Sequence, residues 1–402
     1  MKARRVFKSV VLLSCAVLVA TAGLAGPIDG RPVRPDFEAR QALDDVFSDY
    51  RVFDVSLRQI QQGMKAGHLT LRLGDRELVL DVEPGDFLSP DFKWVIETPN
   101  GRVTLPPGPI SNYAGTLRGD ASASVRLSSR SDHLGGYIRS DSEWLFIDPL
   151  ADFVAGAPKN LVVVYRNGDV RPDPSRVCGS ERYSAVGDAI LSQVGGRGGD
   201  APEGGFPIAE FSFEVDGDYE DQYGKQGAID RIKDFAFEVI DIYEAQLQIT
   251  LQFAYGHIWN SAGSDPYTSN DAEVTLDQFV DYWLNNEPLF DVMHMISGKN
   301  FNFGIAGIAY LDAVCCNGFL CPPGAFGISQ DLSTRSDRIT VMAHEVGHNF
   351  SARHSDGCSG VNCNGFGPIM CSFIQSFGSQ TFAQCSVNSI DNWVANNGSC
   401  LD

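Results

Sequence analysis

Three histidines and one glutamate near residue 345 have the types and spacing of a catalytic metal site. His344, Glu345 and His348 form the pattern H-E-x-x-H. Residues four apart share one face of a helix, so the two imidazoles can bind one ion while Glu345 lies beside it. His354 supplies a third imidazole, which leaves the fourth tetrahedral position for water. We therefore predict zinc on His344, His348 and His354, with Glu345 as the base that deprotonates the bound water.

This pattern is too specific to treat as coincidence. An isolated H-E-x-x-H is expected by chance in roughly one chain of this length in a hundred, and a third histidine at a fixed offset lowers that chance about fiftyfold. The alternative is an amphipathic core helix with incidental histidines. The combined spacing favours the metal site.

Residues 344–354 resemble the metzincin metalloprotease signature, H-E-x-x-H-x-x-G-x-x-H followed by a methionine-containing turn. The ligand and glutamate positions match, while Ser351 occupies the glycine position. That glycine turns the chain out of the helix with positive φ, so a serine there should cost about 1–2 kcal/mol. Met370, within Pro-Ile-Met-Cys, is the candidate for the Met-turn beneath the zinc, although by itself it could be an ordinary core methionine.

The first 26 residues are typical of a secretory signal peptide. A basic start precedes an apolar run over residues 10–19 and small residues over 20–25. The apolar run is too short for a membrane span, and we expect no stable span elsewhere. Too little apolar sequence precedes Cys15 for a lipoprotein site, so we predict a secreted protein without a lipid anchor.

Composition and charge agree with an exported globular protein. About 375 residues remain after the signal peptide, which is enough for two domains with substantial cores. The net charge of −20 and the pI near 4.7 argue against nucleic acid or an anionic membrane as a partner. We expect protein or peptide substrates instead.

Cysteine usage also indicates export. Eight of the ten cysteines lie between residues 315 and 400, which predicts up to four disulfides of undecidable connectivity. Cys15 is removed with the predicted signal peptide, so Cys178 is left over, and a free or intermolecularly paired thiol is one interpretation. Its Cys-Gly context resembles the cysteine switch of metzincin proforms, in which a propeptide thiolate takes the fourth zinc position. The resemblance implies that Cys178 is an inhibitory zinc ligand and that the prodomain inhibits its own enzyme.

A glycine-rich stretch, residues 194–205, divides the chain. Such a segment is accessible to proteases, and Arg197 is a candidate processing point. Before it, residues 27–193 contain short segments of alternating polarity such as 69–73, which predict a mainly β prodomain. Residues 206–402 form the predicted catalytic domain.

Within the predicted catalytic domain, the hydrophobic pattern alternates between strand and helix periods, which predicts a layered α/β fold. We expect strands at 209–215, 247–255, 292–296, 305–310 and 325–329, and helices at 228–246, at 272–285 and from about 336 onwards.

This order of elements, the segment 304–311 and the stretch 112–150 of the prodomain resemble the reprolysin branch of the metzincins, which includes ADAM and snake-venom proteases. The resemblance implies an α/β (α+β) metzincin-like catalytic domain with a mixed twisted sheet, an active-site helix and a disulfide-rich lower subdomain. It also makes Glu210 and Asp291 candidate ligands of a structural calcium ion, the alternative being solvated carboxylates.

A secreted zinc-binding adhesion module without catalysis is disfavoured, because a structural zinc needs a fourth permanent protein ligand and has no use for Glu345. His257 and His294 lie in strand-like segments, and we expect them to be core or surface histidines with satisfied hydrogen bonds.

Overall fold

The computed structural model describes residues 26–85, 87–141, 143–180, 206–316, 321–364, 367–374 and 380–402. The predicted signal peptide up to residue 25 and the predicted linker 194–205 lie outside these ranges. Within the described residues, no helix combines the length and the apolar character needed to cross a membrane.

The part of the chain before the predicted linker consists mainly of strands. Its elements are β1 (Ile28–Val33), α1 (Phe37–Val46), β2 (Arg51–Asp54), α2 (Leu57–Lys65), β3 (His68–Leu73), β4 (Arg76–Pro84), β5 (Leu88–Ile96), β6 (Val103–Leu105), β7 (Asn112–Leu117), β8 (Asp120–Arg130), β9 (His133–Arg139), β10 (Trp144–Pro149), β11 (Leu161–Arg166) and β12 (Val177–Cys178).

The part after the linker alternates strands and helices, as its hydrophobic periods predicted. Its elements are β13 (Ile208–Val215), α3 (Gly217–Leu247), β14 (Thr250–Ile258), α4 (Ala272–Asn286), β15 (Val292–Ser297), β16 (Ile305–Ala309), β17 (Phe326–Gln330), α5 (Arg335–Asn349) and α6 (Gln384–Asn397).

Nine of the earlier strands close into a barrel in the order β1-β2-β11-β10-β9-β8-β7-β4-β3. Alternation of polar and apolar residues produces it: every second residue of β3 is buried, so one face of each strand lines the barrel core. Closure is completed by a parallel pairing of β1 with β3, and the ring leaves none of these nine strands with a free edge.

The remaining strands form an eight-stranded mixed sheet in the order β12-β16-β17-β15-β13-β14-β5-β6. The five strands from after the linker therefore lie between strands from before it. β12 pairs in parallel with β16 at one side, and β5 pairs in parallel with β14 at the other. A mixed α/β fold was predicted for this part, but the contribution of β5, β6 and β12 to its sheet was not.

The pairing of β5 with β14 joins the cores of the two parts. Trp94 of β5 is opposite Gly256 of β14, and its ring lies where a β-carbon on Gly256 would be. Phe92 and Trp94 pack edge-on against Phe253 of β14. The three side chains belong to one continuous apolar cluster that includes residues of the barrel and of the sheet, so the two parts are stabilised by shared burial.

Buried ion pairs connect α3 and α5 to the barrel. Arg335, at the start of α5, is only 2% exposed; it donates to Asp148 of β10 at 2.7 Å and to Glu238 of α3 at 2.6 Å. Arg130 of β8 likewise pairs with Asp234 of α3. Removing one partner of such a pair would leave a buried charge uncompensated, which costs several kcal/mol.

All eight cysteines between residues 315 and 400 are paired, which confirms the expectation of four disulfides. The bonds are Cys315–Cys400, Cys316–Cys321, Cys358–Cys385 and Cys363–Cys371. In the described part of the chain, Cys178 is the cysteine left with a free thiol.

Replacing Trp94 with alanine should destabilise the whole chain by about 3–5 kcal/mol, because the ring is 1% exposed and no neighbour can fill its volume. Urea unfolding followed by circular dichroism would measure the change. Phe37→Ala is the matched control, since Phe37 is 80% exposed and should change stability by less than about 0.5 kcal/mol. Equal stabilities of the two variants would refute the joint core.

Candidate active site

Helix α5 is built to begin and end at fixed points. Thr334 caps it by accepting a hydrogen bond from the Asp337 amide at 3.0 Å. The negative charge of the Asp337 carboxylate, in the first turn, interacts favourably with the positive end of the helix dipole. All fifteen residues of the helix are buried. The helix therefore presents His344 and His348, one turn apart, on the same face.

The structure brings the three predicted histidines together. The Nε2 atom of His354 lies 3.3 Å from that of His344 and 3.2 Å from that of His348. Two donors bound about 2.05 Å from one tetrahedral zinc are separated by about 3.3 Å. The spacing of the imidazoles therefore fits a shared zinc ion.

Hydrogen bonds fix the orientation of two of these rings. Nδ1 of His344 donates to the carbonyl oxygen of Ile369 at 2.7 Å, and Nδ1 of His348 donates to that of Ala352 at 2.8 Å. Each proton is thus on Nδ1 and each Nε2 is free to bind a metal. Burial lowers the pKa of His344 to about 3 and also lowers that of His348, which keeps both rings neutral as metal binding requires.

Cys178 lies at the same point as the imidazoles. Its Sγ atom is 3.4 Å from Nε2 of His348, and the thiol together with the three histidines forms a group able to hold one metal ion. Burial raises the pKa of the thiol; a divalent cation would act in the opposite direction by stabilising the thiolate. Four donors of the types N, N, N and S are a ligand set that suits zinc.

Backbone pairing holds the segment around Cys178 in place. The Cys178 amide donates to the Ser372 carbonyl at 3.0 Å, and the Gly179 amide donates to the Gly307 carbonyl of β16 at 2.8 Å. Arg176 adds an ion pair with Asp337 of α5 at 2.9 Å. Contacts with Ser372, with β16 and with α5 therefore hold the Cys178 sulfur in position.

Glu345 lies beside the donors and is fully buried. Burial raises the pKa of its carboxyl to about 8, a value suited to a group that must both take and return a proton near neutral pH. Cys178 Sγ is 3.7 Å from Oε2 of Glu345. A β-carbon on Gly307 would lie 2.6 Å from Oε1, so glycine at that position leaves room for the carboxylate.

Ser180 is a site residue that the sequence did not reveal. Its hydroxyl donates to Oε2 of Glu345 at 3.3 Å and accepts from the Ala309 amide of β16 at 2.9 Å. Its position two residues after Cys178 is the single signal that could have suggested it. The segment therefore contacts the metal-binding point and the carboxylate at once.

Met370, the candidate for the Met-turn, packs against the histidine helix. It is fully buried, and a β-carbon on Gly347 of α5 would lie 2.7 Å from its sulfur. Its carbonyl accepts from the Ser355 amide at 2.7 Å. Met370 thus supports the helix next to His348 and fixes the chain just after His354.

The chain leaves α5 through Ser351, whose φ is 78°. This is the left-handed conformation expected for the glycine position of the signature. The Ser351 amide donates to the His348 carbonyl at 2.9 Å, and the turn brings His354 back towards the helix. Ser351 therefore adopts the turn geometry of the signature's glycine position, at a cost in backbone strain.

Glu210 and Asp291, the candidate calcium ligands, are neighbours. Oδ2 of Asp291 accepts from the Glu210 amide at 2.8 Å, and burial together with the Glu210 carboxylate raises the pKa of Asp291 to about 6. The calcium assignment stays a prediction. His257 is buried and bonds Glu214 at 3.0 Å, as expected of a core histidine. His294 is also buried and bonds Ser329 at 2.8 Å through Nε2, but its Nδ1 has no hydrogen-bond partner among the described residues.

Three convergent imidazoles, two of them on a helix set against a mixed sheet, are the arrangement of a zinc peptidase of the metzincin class. Residues 230–355 match the family described as metallo-peptidase family M12B, reprolysin-like. This match supports a reprolysin-like metalloendopeptidase. Among solved structures it is similar to metalloproteinase-II from Bacteroides fragilis, with 12% identity over 88% of this chain and 94% of that chain and a TM-score of 0.46.

Ser351→Gly should stabilise the chain by about 1 kcal/mol, because glycine adopts positive φ without the strain of a β-carbon. Thermal or urea unfolding would measure it. Ser359→Gly is the matched control: Ser359 is exposed and is not among the residues with positive φ, so glycine there should bring no gain. A loss of stability in Ser351→Gly would show that the left-handed turn carries no strain.

Proposed function

We propose that this metallopeptidase is a secreted zinc endopeptidase made as an inactive precursor. The observation that carries the proposal is the convergence of three imidazole nitrogens and the Cys178 sulfur on one point, with the Glu345 carboxylate beside it. His344, His348 and His354 are the proposed zinc ligands, Glu345 the catalytic base, Met370 the residue of the supporting turn, and Cys178 the inhibitory ligand.

Catalysis begins once the fourth position is open. A zinc ion held by His344, His348 and His354 would supply an acidified water and a Lewis acid for the scissile carbonyl. Glu345 would accept the proton of the attacking water and return it to the leaving amine, and its buried position would keep that proton from bulk solvent. The amides and carbonyls of β16 bind the extended substrate backbone, as they now bind the segment around Cys178.

Latency is proposed to depend on β12 and Ser180 together. β12 fills the β16 edge that a substrate peptide would use, and Cys178 fills the fourth metal position. Ser180 bonds the carboxylate of the proposed base. The barrel part, residues 27–193 in the predicted division, then serves as the inhibitory prodomain, and cleavage in residues 194–205 breaks its covalent link to the catalytic domain.

Export fits the four disulfides, which form and persist in oxidising compartments. Their positions also support a disulfide-rich lower subdomain below α5. The proposal includes the signal peptide over residues 1–26.

The proposal also includes calcium at Glu210 and Asp291 as a structural cofactor. Addition of calcium to metal-stripped protein should then raise its melting temperature, and Asp291→Asn should remove that increase.

Glu345→Ala should lower the turnover of an unfolded protein substrate by about 100-fold to 10,000-fold, since general-base catalysis contributes on that scale. The zinc content should stay at one ion per active site, because the imidazoles are unchanged. Activity would be measured after cleavage of the linker, with and without a chelator. Normal turnover by Glu345→Ala would show that another group is the base.

Cys178→Ala should produce activity in the uncleaved chain, because the fourth zinc position then opens to water. Ser180→Ala should produce a smaller increase, since the sulfur stays but the contact with Glu345 is lost. Initial rates on a quenched peptide would be compared with those of Ser175→Ala, which alters an exposed serine in the loop before β12. An uncleaved Cys178→Ala chain as latent as the unmodified one would refute inhibition by the thiol.

A further inference from the structure

A second group of metal-binding side chains lies away from the active site, where β5 meets β14. Glu97 directly follows β5, His257 is in β14, and Glu287 directly follows α4. One carboxylate oxygen of each glutamate and one ring nitrogen of the histidine all lie within 4.8 Å of one another. The side chains of His257 and Glu287 are fully buried.

The spacing of this group matches that of the active site. Nε2 of His257 is 3.3 Å from Oε1 of Glu97 and 3.6 Å from Oε1 of Glu287. Donors at about 2.0–2.1 Å from a tetrahedral zinc are about 3.3–3.4 Å apart, so small movements would bring all three donors to one ion.

The histidine is also oriented as metal-binding histidines are. Its other nitrogen, Nδ1, lies 3.0 Å from Oε2 of the fully buried Glu214. A carboxylate on the far side of a ligand imidazole fixes the ring and increases its basicity. Glu214 is in turn held by hydrogen bonds from three aromatic side chains, Trp259, Tyr267 and Trp283. Nε2 is thereby directed at the two glutamates.

A cation already contacts both glutamates of the group. The Arg102 Nη2 atom is 2.7 Å from Glu97 Oε1, 2.5 Å from Glu287 Oε1 and 2.9 Å from the Tyr282 hydroxyl. The Arg102 side chain is 39% exposed, so part of it already contacts solvent. Its guanidinium supplies the positive charge that the two carboxylates attract.

We propose that Glu97, His257 and Glu287 form a second zinc-binding site, in which Arg102 competes with the ion. Binding displaces the Arg102 guanidinium and any proton on Nε2 of His257. One imidazole and two carboxylates suit zinc, whereas calcium would need six or more oxygen ligands. The site lies across the pairing of β5 with β14, so an ion there ties the barrel part to the catalytic sheet.

The test is zinc binding to the full-length chain, measured by competition with a chromophoric chelator and by metal content. Arg102→Ala should bind a second zinc ion about tenfold or more tightly than the unmodified chain, because its competitor is gone. Arg102→Gln, which keeps most of the side-chain stem, should behave likewise. Arg118→Ala removes an exposed arginine paired with Asp81 and serves as the control with no effect.

Adding Glu97→Gln to Arg102→Ala should abolish binding of the second zinc ion. Adding Glu77→Gln, a change at an exposed glutamate, should leave that ion bound. His348→Ala should abolish binding of the active-site zinc ion and leave the second site unchanged. Failure of the active-site assignment can therefore be distinguished from failure of the second-site assignment. The proposal is overturned if both Arg102 variants, folded by circular dichroism, bind no more zinc than Arg118→Ala. It is also overturned if Glu97→Gln leaves the second ion bound.

Discussion

The region around α5 depends on the close approach of imidazole nitrogens, since Nε2 of His354 lies 3.2–3.3 Å from those of His344 and His348. Carbonyl oxygens accept from Nδ1 of His344 and of His348, so the Nε2 lone pairs of both rings face Nε2 of His354. Protonation is disfavoured by burial, which lowers the pKa of His344 to about 3. A divalent cation bound at these nitrogens would satisfy the lone pairs, and its charge would favour the Cys178 thiolate and the Glu345 carboxylate beside it.

The same helix that presents the histidines is anchored at its other end by Arg335. This buried arginine is shared between Asp148 of the barrel and Glu238 of α3, so the barrel contributes directly to the electrostatic balance of the active-site helix. Burial raises the pKa of Glu238 to about 8, although Arg335 acts to lower it. If the barrel leaves, Arg335 retains Glu238 and must exchange Asp148 for water, which requires the start of α5 to become hydrated.

The sequence predicted local features well, because they depend on short spacings. The turn at Ser351 and the strands and helices after the linker follow from periodicity and motif, although α3 begins at Gly217, eleven residues before its predicted start, with the non-helical Gly224 within it. Long-range pairing was not predictable. Alternating polarity identifies a strand but not its neighbour, so nothing in residues 88–105 indicated a place beside β14. Likewise, eight cysteines permit 105 connectivities.

The two outer strands of the catalytic sheet are covered by strands from before the linker, but with different consequences. At β16 the covering strand is two residues long and is held by a few backbone bonds and the Arg176–Asp337 pair. At β14 the covering strand is nine residues long and buries Phe92 and Trp94. Since apolar burial contributes far more than a few backbone bonds at an edge, the active-site edge is the weaker of the two. Under the proposed mechanism, the site can therefore open while the β5–β14 pairing still holds the barrel in place.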